Sequence, residues 1–81
     1  MENKYFVTIK QGKTILLNKV AFFSKESDIV KNAKIIRMRE SKNWNLKPSD
    51  LSWAVFDFYN PDNPMSEQSI IAKSSNYEIR Q

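Results

Sequence analysis

Residues 51–59 read Leu-Ser-Trp-Ala-Val-Phe-Asp-Phe-Tyr, and this stretch decides the fold. Aromatic and β-branched side chains favour a pleated strand, and here they occupy both even and odd positions. A strand that is apolar on both faces is either central in a sheet or has an outer face that meets a partner. The sequence Asn-Pro-Asp-Asn-Pro at 60–64 ends the strand, because proline has no N–H for the ladder.

The chain before this strand begins with a predicted β-hairpin from Lys4 to Ser24. Apolar and polar residues alternate in its first arm, and Gly12, the only glycine of the chain, lies between the two arms. A three-residue loop with Gly12 in the left-handed region gathers the aliphatic residues on one face. That register pairs Val7 with Leu17 and Ile9 with Ile15.

A helix of about four turns is predicted after the hairpin. Ser24 is a suitable N-cap, and Glu26 and Asp28 place negative charge where the helix dipole favours it. At about 100° per residue, one narrow sector holds three apolar residues, with Val30 beside it. These three residues are Ile29, Ala33 and Ile36.

Two apolar residues do not fit this helix face, since Ile35 and Met38 fall on the opposite side. One alternative is therefore a shorter helix followed by a strand from Lys34 to Glu40. The segment Asn43 to Asp50 is predicted to be an irregular connection, because it contains Pro48.

The C-terminal part predicts strand structure from Ser69 to Lys73 and from Tyr77 to Arg80, with Ser74 to Asn76 as a bend or bulge between the two pieces. A short second helix is the alternative there, because Asn63 followed by Pro64 is a suitable helix start, and that helix would run through Ala72.

The expected fold is therefore α+β: a single antiparallel sheet of about four strands with one packed helix, in the order β-hairpin, helix, two further strands. Eighty-one residues make one domain, so we expect a single compact unit over 1–81.

The composition excludes most catalytic chemistry. The chain has no histidine, no cysteine and one glycine. Without them it lacks the commonest acid–base group, a thiol nucleophile and a glycine-rich phosphate loop. Only oxygen ligands remain for a metal, and they are not spaced as in an EF-hand loop. We therefore expect a non-enzyme with no metal site and no cofactor.

The charge is unevenly distributed along the chain. Residues 1–47 hold eleven Lys/Arg and four Asp/Glu, a net charge of +7, whereas residues 48–81 hold two and five, a net charge of −3. No run of apolar residues is long enough to span a bilayer, and lysines interrupt the first twenty residues. These features, with the absence of cysteine, predict a soluble cytoplasmic protein without a membrane partner.

Protein binding is the first predicted function, because the chain has more apolar side chains than one helix and one sheet can bury. Interfaces are rich in Trp, Tyr, Phe and Met, and an exposed apolar patch usually marks a partner. A homodimer would cover the same residues. The candidate protein-binding residues are Ile35, Met38, Trp44, Trp53, Phe56, Asp57 and Tyr59.

Single-stranded nucleic-acid binding is the alternative. Lysines on a helix face attract phosphates, and aromatic rings stack on bases. The candidate residues are Lys31, Lys34, Lys42, Tyr5 and Phe6. No RNP-like aromatic motif, GxxG loop or helix-turn-helix pattern accompanies them.

The expected function is non-catalytic, stoichiometric binding. Small size, mixed charge and the lack of cofactor chemistry are typical of inhibitors that phages and mobile elements carry, anti-CRISPR proteins among them. Such proteins occupy a surface of a host protein or nucleoprotein complex. This expectation rests on the type of protein, since no motif in the chain identifies a family.

Overall fold

The structure, a computed structural model, describes residues 3–25, 27–57 and 70–78. Within these residues, four strands and one helix follow each other. They are β1 (Asn3–Gln11), β2 (Thr14–Phe23), α1 (Ser27–Asn43), β3 (Ser52–Asp57) and β4 (Ile70–Lys73), with a 3-10 turn at Pro48–Asp50 before β3. The strands form one antiparallel sheet in the order β2-β1-β3-β4, and α1 packs on one face. The predicted α+β fold is confirmed.

The hairpin β1–β2 turns at Gly12, whose φ of 59° lies in the left-handed region. Gln11 pairs with Thr14, so the loop has two residues rather than three. Two-residue hairpin turns need a positive φ at the first central position, and glycine adopts it without strain. The predicted role of Gly12 is therefore confirmed, although the predicted loop length is wrong.

The predicted register of the hairpin is also wrong. Val7 pairs with Lys19 and Ile9 pairs with Leu17, because the register shifts between Ile9 and Lys10. Lys10 pairs with Ile15, which leaves Leu16 as an extra residue on β2. This bulge turns Ile15 out of the apolar face, and 51% of Ile15 is exposed.

The helix begins at Ser27, three residues later than the predicted N-cap at Ser24, and continues through Asn43. Residues 34–40 are helical, so the alternative of a strand there is wrong. Its C-terminus is a Schellman motif, in which Asn45 has a φ of 57°. The Leu46 N–H donates to the Ser41 carbonyl at 2.8 Å, and the Asn45 N–H donates to the Lys42 carbonyl at 3.3 Å.

The core lies between α1 and one face of the sheet. Ile29 and Ala33 of the helix are at most 2% exposed, and Ile36 and Leu46 pack against the same cluster. The sheet contributes alternate residues of its two central strands, as period-two alternation requires. These are Tyr5, Val7, Ile9, Trp53 and Val55.

The chain after β4 returns across β3. The Ser74 hydroxyl accepts a hydrogen bond from the Trp53 N–H at 3.0 Å, and the Asn76 side chain donates to the Leu51 carbonyl at 3.1 Å. Ile70–Lys73 is a strand, so the alternative helix through Ala72 is wrong at these residues, whereas residues 63–69 lie outside the described residues. Tyr77 and Glu78, predicted to start a strand, are not in one.

Candidate functional site

The surface of α1 that faces away from the sheet is both basic and apolar. Ile35 and Met38 are 39% and 51% exposed, and cationic side chains surround them. We call this surface the outer helix face and define it as Lys31, Lys34, Ile35, Met38, Arg39 and Lys42. Five of these residues line a shallow depression of about 310 Å³; Lys31 lies one turn before it.

Helical periodicity explains why these six residues share a surface. Residues three and four apart lie on one side of a helix. Ala33, which is fully buried, lies about 160° around the axis from Ile35. The packing of Ile29 and Ala33 on the sheet therefore directs the outer helix face away from the core.

Glu40, the acidic residue within this part of the helix, lies on the opposite side. It is 9% exposed. Its carboxylate accepts a hydrogen bond from the Trp44 indole N–H at 2.7 Å and from the Asn43 side chain at 3.4 Å. The carboxylate thus holds the C-terminal end of α1, and the outer helix face keeps a positive charge.

Trp44 lies just beyond the helix and is 53% exposed. Its indole N–H is engaged by Glu40, so what remains for a partner is the apolar ring. The predicted site residues Ile35, Met38 and Trp44 are therefore all at the surface, on the helix or at its end.

The sequence predicted that the strand 51–59 presents Trp53 and Phe56 to a partner protein, and this prediction is wrong. They are 3% and 1% exposed. Trp53 belongs to the core under α1, and Phe56 lies on the other face of the sheet against Tyr77, with the two ring centroids 6.4 Å apart. Both rings are used inside the domain.

The last two residues predicted from this strand have different outcomes. Asp57 is half-buried at the end of β3 and pairs with Tyr5 in the ladder. Tyr59 lies outside the described residues. Asp57 is not part of the outer helix face.

The residues predicted to bind nucleic acid do not share a surface. Lys31, Lys34 and Lys42 are exposed on α1. Tyr5 is 8% exposed in the core, with its ring centroid 5.5 Å from that of Phe23. Phe6 is next to Tyr5 in β1 and faces the other side of the sheet, opposite Val20. No base can stack on these two aromatic rings while its phosphate contacts the lysines.

Arg39 belongs to the outer helix face but was not among the site residues predicted from the sequence, although helical periodicity gives its position. Arg39 follows Lys31 and Ile35 at intervals of eight and four residues, which keeps it on the same helix surface. The exposed apolar residues of β2 were also not predicted as site residues. Val20 and Phe22 are 37% and 56% exposed.

Tyr77 closes the sheet face opposite the helix. The Lys10 ammonium lies 4.7 Å from the centroid of its ring and donates to the Glu78 carbonyl at 3.1 Å. These contacts fix the segment after β4 over the central strands, where Thr8 and Ala54 are fully buried. Burial raises the pKa of the Tyr77 phenol above its ordinary value of 10.0.

This raised pKa predicts a loss of stability in alkaline solution. Above a pH of about 10 the unfolded chain ionises Tyr77 while the folded chain keeps it neutral, so ionisation lowers the free energy of the unfolded state relative to the folded state. Urea unfolding of the wild type and of Tyr77→Phe at about pH 8 and about pH 11 measures this. We expect the wild type to lose more stability than the variant; equal losses would exclude the effect.

No group of three or more Asp or Glu side chains in residues 3–25, 27–57 and 70–78 is arranged to hold a metal ion. In the same ranges, no helix has both the length and the apolar character needed to cross a membrane.

Comparisons with protein-family models, with curated proteins and with solved structures give no match to this chain. The fold and the site together define this protein as a small α+β domain with a helix surface that is both basic and apolar.

Proposed function

We propose that this chain is a non-catalytic binding protein that acts by stoichiometric occupation of a partner protein's surface. Small inhibitors carried by phages or mobile elements, including those of the anti-CRISPR type, act in this way on host nucleoprotein complexes. The observation that carries the proposal is the outer helix face, where Ile35 and Met38 lie exposed within a ring of cations.

The scaffold supports this role. The opposite side of α1 is fixed to the sheet by buried residues, and the Schellman motif fixes its C-terminus. A rigid helix loses little conformational entropy on binding, so contacts at its surface contribute fully to affinity. Apolar residues at the centre of a patch and charges at its rim are the usual arrangement of a protein interface.

Nucleic-acid binding is the second candidate, and the observation that favours it is the cluster of Lys31, Lys34, Arg39 and Lys42 on one surface. The positions of Tyr5 and Phe6 count against a stacking mode. Binding through phosphate contacts of these four cations alone would weaken by about 50- to 150-fold between about 50 and 200 mM salt.

Affinity capture from a bacterial lysate, with and without nuclease treatment, separates the two candidates. We expect the tagged protein to retain a defined protein complex at about 200 mM salt after nuclease treatment. Recovery of RNA or DNA alone, lost on nuclease treatment, would contradict protein binding and favour the second candidate.

A further inference from the structure

Four side chains of the outer helix face, two apolar and two basic, form a straight row along α1 against which another helix can pack. Lys31, Ile35, Met38 and Lys42 are spaced by four, three and four residues, which is the spacing of core positions along a helix–helix seam. Lys34 and Arg39 flank this line at the positions where helix pairs carry their charged residues. The line is about 16 Å long, so a partner helix of about three turns covers it.

The charge of this surface selects the chemistry of the partner. Four of its six residues are cations, whereas the Glu40 carboxylate lies on the other side of the helix, where it accepts hydrogen bonds from the side chains of Trp44 and Asn43. Complementary charge on a partner steers association and fixes register. A partner that satisfies this surface therefore carries carboxylates around its own apolar residues.

The apolar centre favours a protein helix over a nucleic acid. Ile35 and Met38 are aliphatic and lie in the middle of the cations, where a phosphate backbone offers them no apolar contact. Proteins that bind single strands place aromatic rings at that position instead. Two aliphatic residues spaced by three match the apolar anchors of an amphipathic helix.

We propose that the outer helix face binds an acidic amphipathic helix of a partner protein. Apolar side chains of that helix pack on Ile35 and Met38, and its Asp or Glu residues face Lys34 and Arg39. This inference rests on the proposed function and adds the chemistry of the partner.

A synthetic helical peptide of about three heptads tests the proposal, with Leu at the two core positions of each heptad and Glu at the flanking positions. Binding is measured by titration calorimetry with the full chain. We expect Ile35→Gln and Met38→Gln each to weaken binding at least about tenfold. Val30→Gln is the matched control, because Val30 is 40% exposed, as Ile35 is, but lies about 140° around the helix.

A charge-swap experiment distinguishes specific binding of an acidic helix from nonspecific electrostatic binding. The double variant Lys34→Glu/Arg39→Glu is expected to lose the Glu peptide and to bind the same peptide with Lys at its flanking positions, which the wild type does not bind. Equal affinity of all variants for the Glu peptide would overturn the proposal. Displacement of the Glu peptide by a stoichiometric amount of oligothymidylate would also overturn it.

The failure of this inference is distinguishable from failure of the proposed function. If the Glu peptide does not bind while capture from the lysate still recovers a nuclease-resistant protein complex, the helical partner is wrong and stoichiometric protein binding stands. If capture recovers nucleic acid alone, the proposed function is wrong.

Discussion

Replacing Trp53 with alanine lowers the free energy of unfolding by about 3 to 5 kcal/mol, the range for loss of a large buried aromatic side chain. Trp53 is 3% exposed and lies in β3, paired with Ile9 of β1. A domain of this length has a total stability of about 4 to 12 kcal/mol, so the substitution removes at least about a quarter of it. Urea unfolding followed by far-UV circular dichroism measures the change.

Trp44→Ala is the matched control, since Trp44 is the other tryptophan and is 53% exposed. It removes the hydrogen bond to Glu40 and little buried area, so we expect a loss of about 1 to 2 kcal/mol. If the two variants lose the same free energy, Trp53 is not a core residue and its placement under α1 is wrong.

The double variant Ile35→Gln/Met38→Gln weakens binding to the captured partner by about 100-fold or more. Central apolar residues of an interface each contribute about 2 kcal/mol, and about 1.4 kcal/mol corresponds to a factor of ten. Glutamine is a good helix former, so the helix itself is retained. Surface plasmon resonance with the purified partner gives the dissociation constants.

Two control measurements test whether the loss of affinity comes from unfolding of the variant or from any apolar-to-polar substitution on the helix. The unfolding free energy of the double variant is expected to stay within about 1 kcal/mol of the wild type, as for most surface substitutions. Val30→Gln is expected to bind as the wild type does. An unchanged affinity of the double variant would place the interface elsewhere on the chain.

The order of the elements was predictable because local patterns determine it. Alternation predicted the hairpin, Gly12 marked its turn, and the spacing of Ile29 and Ala33 predicted a helix that the structure confirms. Each of these signals depends on residues close together in the chain.

The predictions that were wrong concern features that depend on contacts between residues far apart in the chain. The bulge at Leu16 shifts the hairpin, and no local pattern specifies on which strand an extra residue lies. In the same way, the sequence did not show that Tyr77 would return to cover Phe56. An apolar strand face has the same pattern whether the chain itself or a partner covers it.

The candidate site was predicted only in part, because some of its features depend on local sequence and others on contacts between distant residues. Ile35 and Met38 were identified because the helical period places them opposite the core, and this period needs only local sequence. Trp53 and Phe56 were assigned to the interface because their strand carries apolar side chains on both faces, which is more than one helix and one sheet were expected to bury. The two sides of the sheet bury both rings, which only the tertiary structure shows.

The most direct test of the binding surface is amide chemical-shift mapping by NMR of the labelled chain as the purified partner is added. We expect the largest shifts and line broadening along α1, at Lys31, Ile35, Met38 and Lys42, with small changes in β2. Perturbations confined to β2, where Val20 and Phe22 are exposed, would contradict the assignment of the outer helix face as the binding surface.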